Sequence, residues 1–490
     1  MKKTFFLLLT GALALSGFYA FTNVRTNVKP AIAKTDEVVL CATGETFALP
    51  KAKKFRPEDY KLPAVMVRKN VYSLSAAEIT SLKAGITAMK ALPISNPTSW
   101  LYQAAIHGTT APGSNTSWNS CEHGTQFFLS WHRMYLYFFE RILRAKSGNP
   151  NLTLPYWDYQ TNAALHPDYR NSAASNPLYD ATRSGSINGG GSLPAGIMTS
   201  IDNALDEIPF STFQGDLEGP HGSVHVSIGG NMGSVSTAGK DPCFWLHHTN
   251  IDRLWEKWIK KCGGRANPND AAWLAQTYTF FDENGTAVNM TGTQVVNTAA
   301  TLDYRYDFPA SLPCNFWKRW KWIVYRPFRW QDPFVFDKID VRASFIKART
   351  LDDANKINNL KFNFSKENPS DRILVELNKV KLERMPEGAV EVYVNLPANV
   401  KSPNPKSIYF AGMLDLFSAA AHQKHTTKSI PIRVNISKAV SSQKLQPSDL
   451  KKMELTFFVR GNTLKGKEIK TSSRFSAETM DVVIEKAVEQ

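Results

Sequence analysis

The chain changes texture along its length. From Ser73 to about Leu92 apolar positions recur at helical intervals, and Ser75 stands three residues before Glu78, the spacing of a capping box. Trp100 to His107 continues as a short helix, stopped by Gly108 and Pro112. Phe127 to Ala145 predicts a strong aromatic-rich helix that Gly148 and Pro150 end. Residues 171–200 are rich in Ser, Gly and Asn, lack periodicity, and read as a long loop. Pro242 opens another helix that runs to about Lys261 and stops at Gly263-Gly264.

After Tyr306 the pattern is different. Residues 308–335 hold Pro309, Pro313, Pro327 and Pro333 among aromatics interleaved with Arg and Lys, which suggests a packed linker with cation–π contacts. Beyond it, strands are predicted at Ile339–Ala348, Ile373–Arg384, Ala389–Leu396, Ser407–Phe417, Lys428–Ser437, Met453–Arg460 and Met480–Lys486. Several alternate, as in Ala389-Val-Glu-Val-Tyr-Val. Seven short strands separated by turn residues point to a β-sandwich. No internal repeat is visible.

Size and composition agree with two domains. The chain has 490 residues, 11% aromatic, with 12 Trp, enough to bury a large core. Its net charge of +15 is spread out: 28 Lys and Arg face 19 Asp and Glu from Arg326 onward. No nucleic-acid-binding signature accompanies the charge, which reads as a solvated basic surface. Lys2-Lys3 followed by an apolar run from Phe5 to about Leu15 predicts an export signal over 1–33, cleaved near Ala20 or Ala33. No twin Arg precedes the run and no Cys closely follows it, so a twin-arginine signal and a lipoprotein anchor are disfavoured. No later segment is long and apolar enough to span a membrane. The expected location is therefore periplasmic or secreted. The expected division is 36–307, a linker at 308–335, and a β-rich domain at 336–490. Five Cys, at 41, 121, 243, 262 and 314, leave at least one without a disulfide partner.

The candidate chemistry lies in histidine. Seven of ten His fall in three short segments: His107; His123 and His132; and His221, His225, His247 and His248. Clustered imidazoles without carboxylate ligands suit copper better than structural zinc. Two sets of three would hold two ions, the minimum for binding one O2 between two coppers. His221 and His225 are four apart and share a helix face, and His248 on another helix can complete that set. Asp252, one turn past His248, stands where a carboxylate can orient an imidazole. His123 and His132, nine apart, would face opposite ways on one helix, so His123 belongs on a loop before it. A four-helix core with inward ligands satisfies this. His422 and His425 fall in a polar loop and read as solvated.

The run from His123 through His132-Arg133 to Glu140 resembles the first copper motif of the tyrosinase, catechol oxidase and hemocyanin family. The run from Asp241 through His247-His248 to Trp255 resembles the second. The resemblance covers about residues 65–306, with Tyr304-Arg-Tyr306 like the family's closing Tyr-x-Tyr element; the remainder looks more loosely like the C-terminal domain of plant-type polyphenol oxidases. It implies a mainly α catalytic domain on a four-helix core with two copper ions, followed by an all-β sandwich-like domain able to cover the site. It makes His107, His123 and His132 one copper's ligands and His221, His225 and His248 the other's, with His247 a neighbour. It implies a thioether between Cys121 and His123, leaving four Cys for up to two disulfides. Glu218 would be the residue holding a water near the second copper. Gly222 stands where monophenol-hydroxylating members carry Asn, and Val235 where some members place a bulky gate. The implied activity is oxidation of o-diphenols to o-quinones by O2, with weaker monophenol hydroxylation. A hemocyanin-like O2 carrier and an o-aminophenol oxidase are the alternatives on the same site.

Overall fold

The computed structural model describes residues 52–111, 115, 117–261, 263–308, 337–341, 372–419, 431–445, 449, 453–477 and 479–485. The expected signal, most of the linker, Cys41, Cys262, Cys314, His422 and His425 lie outside them.

Six longer helices build the first part. Helix α1 is Ala76–Lys90, and its capping box forms as expected: Ser75 Oγ accepts from the Glu78 amide while Glu78 accepts from the Ser75 amide. Helix α2 is Trp100–His107, capped by Ser99. Helix α3, Phe128–Ser147, is buried nearly all round, which explains its aromatic density; it ends on left-handed Gly148. Helices α4 (Ala195–Asp206) and α5 (Phe210–Ile228) follow, then α6 (Pro242–Ile259), started by Asp241 and Pro242.

The stretch 171–200 is not a bare loop. It contains the short helix Gly185–Asn188 and the start of α4. Gly and Ser lower intrinsic helicity, but Ile197, Ile201, Ala204 and Leu205 bury one face of α4, and packing overrides propensity. Met66–Arg68 pairs in parallel with Tyr304–Tyr306, tying the two ends of this part together. A small sheet joins Lys53–Lys54, Ala287–Thr291 and Thr277–Phe281.

The C-terminal part holds two larger antiparallel sheets. One has the order Phe410–Met413, Gly388–Val394, Leu455–Gly461; the other runs Ile432–Asn435, Arg372–Asn378, Thr479–Glu485, Asp337–Val341. Every predicted strand overlaps an observed one, with ends that differ by one or more residues. Two readings need correction. The run Ile373–Arg384 is two strands, broken at Lys379, whose φ is +49°. Gly388–Val394 is buried on both faces rather than one, because it packs against α5. Its buried Glu391 is met by Arg460 Nη2 at 2.9 Å and the Tyr393 hydroxyl at 2.7 Å.

The two parts share a polar seam. Asp216 on α5 accepts from Arg372 (3.0 Å) and Asn435 (2.8 Å). Asn462 donates to the Ser227 carbonyl, and Thr463 and Ser192 exchange backbone hydrogen bonds.

Candidate metal centre

Each candidate histidine is delivered by a recognisable local device. His107 is the last residue of α2, which Gly108 ends in extended backbone. His123 precedes α3 on a loop, as its spacing from His132 demanded. His221 and His225 lie one turn apart on α5, and His247 and His248 on α6. All are almost fully buried, with His123 the most exposed at 4%.

The rings form two adjoining clusters. His107, His123 and His132 have centroid separations of 5.2, 5.3 and 5.7 Å. His221, His225 and His248 are 4.8, 5.0 and 5.4 Å apart. His132 and His248 stack at 4.3 Å, joining the sets. Donor atoms of His221, His225, His247 and His248 all lie within 4.8 Å of one another, as do those of His107, His132 and His248. His247, set apart on the sequence, therefore sits inside the second cluster, stacked on His221 at 5.2 Å.

Hydrogen bonds set the tautomers. His107 Nδ1 donates to the Val235 carbonyl (3.1 Å), His132 Nδ1 to Phe128 (2.8 Å) and His225 Nδ1 to Met232 (2.9 Å). A carbonyl only accepts, so each Nδ1 carries the proton and each Nε2 keeps a lone pair. Nε2 of His107 and His132 finds no protein partner, and Nε2 of His225 lies 3.2 Å from that of His248. Burial pushes His107 and His247 down to about 3, and His132, His221, His225 and His248 well below the ordinary range. Neutral imidazoles with Nε2 lone pairs gathered together are the donor set copper requires, and the residues fit it.

Asp252 does not orient an imidazole. Its carboxylate accepts from Arg133 Nε (2.5 Å), Arg68 Nη1 (3.1 Å) and the hydroxyls of Tyr304 (2.7 Å) and Tyr306 (2.5 Å). Backbone carbonyls do the orienting instead. What Asp252 does is bridge α6 to α3, because Arg133 follows His132. Arg68, which sequence reasoning missed, completes the network through Glu140 at 2.8 Å. The Arg133 guanidinium also lies 3.5 Å from the Trp255 ring centroid. Burial opposes ionisation of Asp252, but Arg133 and Arg68 outweigh it and hold the carboxyl below its usual range.

Val235 reaches the site through its backbone carbonyl, on which His107 hangs. Cys121 Sγ lies 3.4 Å from His123 Nδ1. Cys243, at the start of α6, is a buried thiol with no disulfide among the described residues. Glu218 is buried and accepts from the Gly124 amide at 2.6 Å; burial and then Asp415 push its carboxyl well up.

Sequence reasoning also missed the groups above the cluster. Phe417, from the C-terminal part, stacks on His225 at 3.9 Å and 10°, and flanks His123 (5.6 Å) and His221 (5.9 Å). Asp415 stands two residues before it, over Gly222. No local pattern marks either residue, because their role comes from docking.

The helices bring the two histidine sets together as a paired-imidazole cluster that could hold metal ions. The common central domain of tyrosinase matches residues 97–209 and 194–261, and the polyphenol oxidase middle domain matches 267–327. Tyrosinase HcTyr1 of Hahella sp. (strain CCB-MM4) is 35% identical over 300 residues, 50% of this chain and 64% of that protein. The latent form of the chloroplastic polyphenol oxidase of Prunus armeniaca is 29% identical over 315 residues, 55% of this chain and 52% of that protein. The chain thus spans about half to two thirds of the length of these relatives. A recombinant latent aurone synthase (polyphenol oxidase) has a like fold, with TM-score 0.62 at 21% identity over 90% of this chain and 92% of its own. Residues 97–261 and 267–327 thus resemble the tyrosinases and polyphenol oxidases, and the two histidine clusters fit a pair of copper ions.

Proposed function

We propose that this protein is an exported polyphenol oxidase that uses O2 to oxidise o-diphenols to o-quinones, hydroxylates monophenols more weakly, and is kept latent by its own C-terminal domain. The observation that carries the reading is the paired histidine clusters, three of whose rings are held by backbone carbonyls with their Nε2 atoms turned inward. In this reading His107, His123 and His132 hold one copper and His221, His225 and His248 the other. Helices α2, α3, α5 and α6 form a four-helix core, the two C-terminal sheets a sandwich, and the boundaries fall at 36–307, 308–335 and 336–490. Two adjacent copper ions supply a pair of one-electron couples, matching the two-electron oxidation of a diphenol.

The chain's own residues do the rest. The Asp252–Arg133 bridge keeps α3 and α6 in register, so His132 and His248 stay stacked. Burial and then Asp415 favour the protonated form of Glu218, three residues before His221; once uncovered, it is placed to hold a water and accept a phenol's proton. Phe417 lies flat on His225, where an aromatic substrate would lie, and excludes both substrate and water. Cys121, beside the His123 ring, would form the thioether that locks that ligand's rotamer, an S–C bond replacing the S–H and a ring C–H, with O2, the oxidant of the proposed reaction, taking up the two electrons and two protons. Among the described residues no helix is long and apolar enough to cross a membrane.

The test is catechol oxidation by copper-loaded full-length protein before and after mild proteolysis within 308–335. Slow turnover that rises on cleavage, with a catechol faster than its parent monophenol, is expected. Absence of turnover in both samples at two coppers per chain would refute the oxidase reading.

A further inference from the structure

Gly222 is the residue after His221, in the interior of a nineteen-residue helix, where glycine is a poor choice. Nothing in its backbone demands glycine, since its φ is not positive. The demand comes from the other domain. A Cβ built on Gly222 would lie 1.9 Å from Asp415 Oδ1 and 2.7 Å from its Cγ. Gly219, one turn earlier on the same face, is equally constrained, since its Cβ would stand 2.8 Å from the Met413 carbonyl oxygen. The two glycines form a notch in α5 that receives the segment Met413–Phe417.

Asp415 cannot swing out of the way cheaply. Its Oδ1 accepts from the Ser418 amide at 3.1 Å, capping the turn that carries Phe417. Rotating the carboxylate breaks that cap, and shifting the turn unstacks Phe417 from His225. Position 222 is also where the family resemblance places an Asn linked to monophenol hydroxylation. Resting on the reading of this site as a covered phenol oxidase, we propose that Gly222 is the seat of the C-terminal cover, so that a side chain at 222 and a closed cover exclude each other. The residue that tunes which phenols the site accepts is then dictated by latency. Asp415 occupies the volume that an Asn side chain would fill.

The experiment is amide hydrogen exchange of residues 410–418 in full-length protein, with copper content and catechol turnover read on the same samples. Five proteins are compared: wild type, Gly222→Asn, Asp415→Ala, the double variant of these two, and Gly222→Ala. Gly222→Asn should speed exchange of this segment by about tenfold or more, since a docked segment becomes an undocked one. Adding Asp415→Ala to Gly222→Asn should restore protection by vacating the contested volume. Gly222→Ala, which adds only the clashing Cβ, should act in the same direction as Gly222→Asn. Wild-type protection in Gly222→Asn would overturn the proposal, and so would a double variant that exchanges as fast as Gly222→Asn. Should Gly222→Asn fail to fold, recovery of folded protein by Asp415→Ala supports the proposal and lack of recovery refutes it. Exchange does not depend on turnover. A protein with the expected exchange pattern and two coppers but no catechol oxidation would sink the oxidase reading and leave the seat standing.

Discussion

Replacing Phe417 with alanine isolates the grip of the C-terminal domain on the metal centre. The ring is fully buried and stacked on His225 at 3.9 Å, with His123 and His221 at its edges. In the open protein the same ring faces water, so its removal weakens only the closed state. Truncating a packed Phe costs about 3–5 kcal/mol. The seam through Asp216, Asn462 and Ser192 is untouched, so the lower figure is the better guide. About 3 kcal/mol is roughly two powers of ten in the closed-to-open equilibrium. Initial rates of catechol oxidation by full-length Phe417→Ala should therefore exceed wild type by about a hundredfold. After cleavage in 308–335 the two proteins should converge, because the difference lies in the cover alone. Phe417→Leu, which keeps much of the volume, should fall between them. A Phe417→Ala protein as latent as wild type would show that the plug is not what limits access.

Four further outcomes follow from the geometry. Burial, opposed by hydrogen bonds from Ser418, pushes Asp415 up to about 6 from 3.8; a pKa raised on closure means closure is fully supported below about pH 4 and loses this support as pH rises through 6, so protease nicking of the cover should be faster at pH 8 than at pH 5, and a flat profile would count against it. Asp252→Asn leaves Arg68 and Arg133 buried without their shared charge, so it should cost about 3–5 kcal/mol and visibly lower the melting temperature; an unchanged melting curve would remove the bridge from the account. His225→Ala should cut copper from two ions per chain to one by elemental analysis, whereas His247→Ala should retain two; loss in the latter would make His247 the ligand in place of His248. The Cys121–His123 peptide from copper-loaded protein should be lighter by two hydrogens and resist reductant, and an alkylatable Cys121 there would disprove the thioether.

Much of this protein is legible in its sequence, and the reason is local chemistry. Helices α1, α2, α3 and α6 announce themselves through caps, glycine stops and apolar period, which depend on near neighbours. The histidines are legible because ligand chemistry restricts residue type, and the nine-residue gap between His123 and His132 already demands a loop and a helix. Helix α4 and the first half of α5 are not legible, since Gly, Ser and Pro there are selected by what packs on them. The meaning of Gly222 is likewise absent until Asp415 is placed above it. Asp252 looked like an imidazole's partner from its spacing, yet Arg68, 184 residues away, and Arg133 claim it because buried charge must be neutralised by opposite charge. The chain by itself therefore pointed to the metal, the candidate ligands and the elements that carry them. Only the tertiary structure decided which carbonyls aim the rings, which ions clamp the helices, and that Phe417 stacks on His225, since those contacts join segments that share no local pattern and meet only in the packed chain.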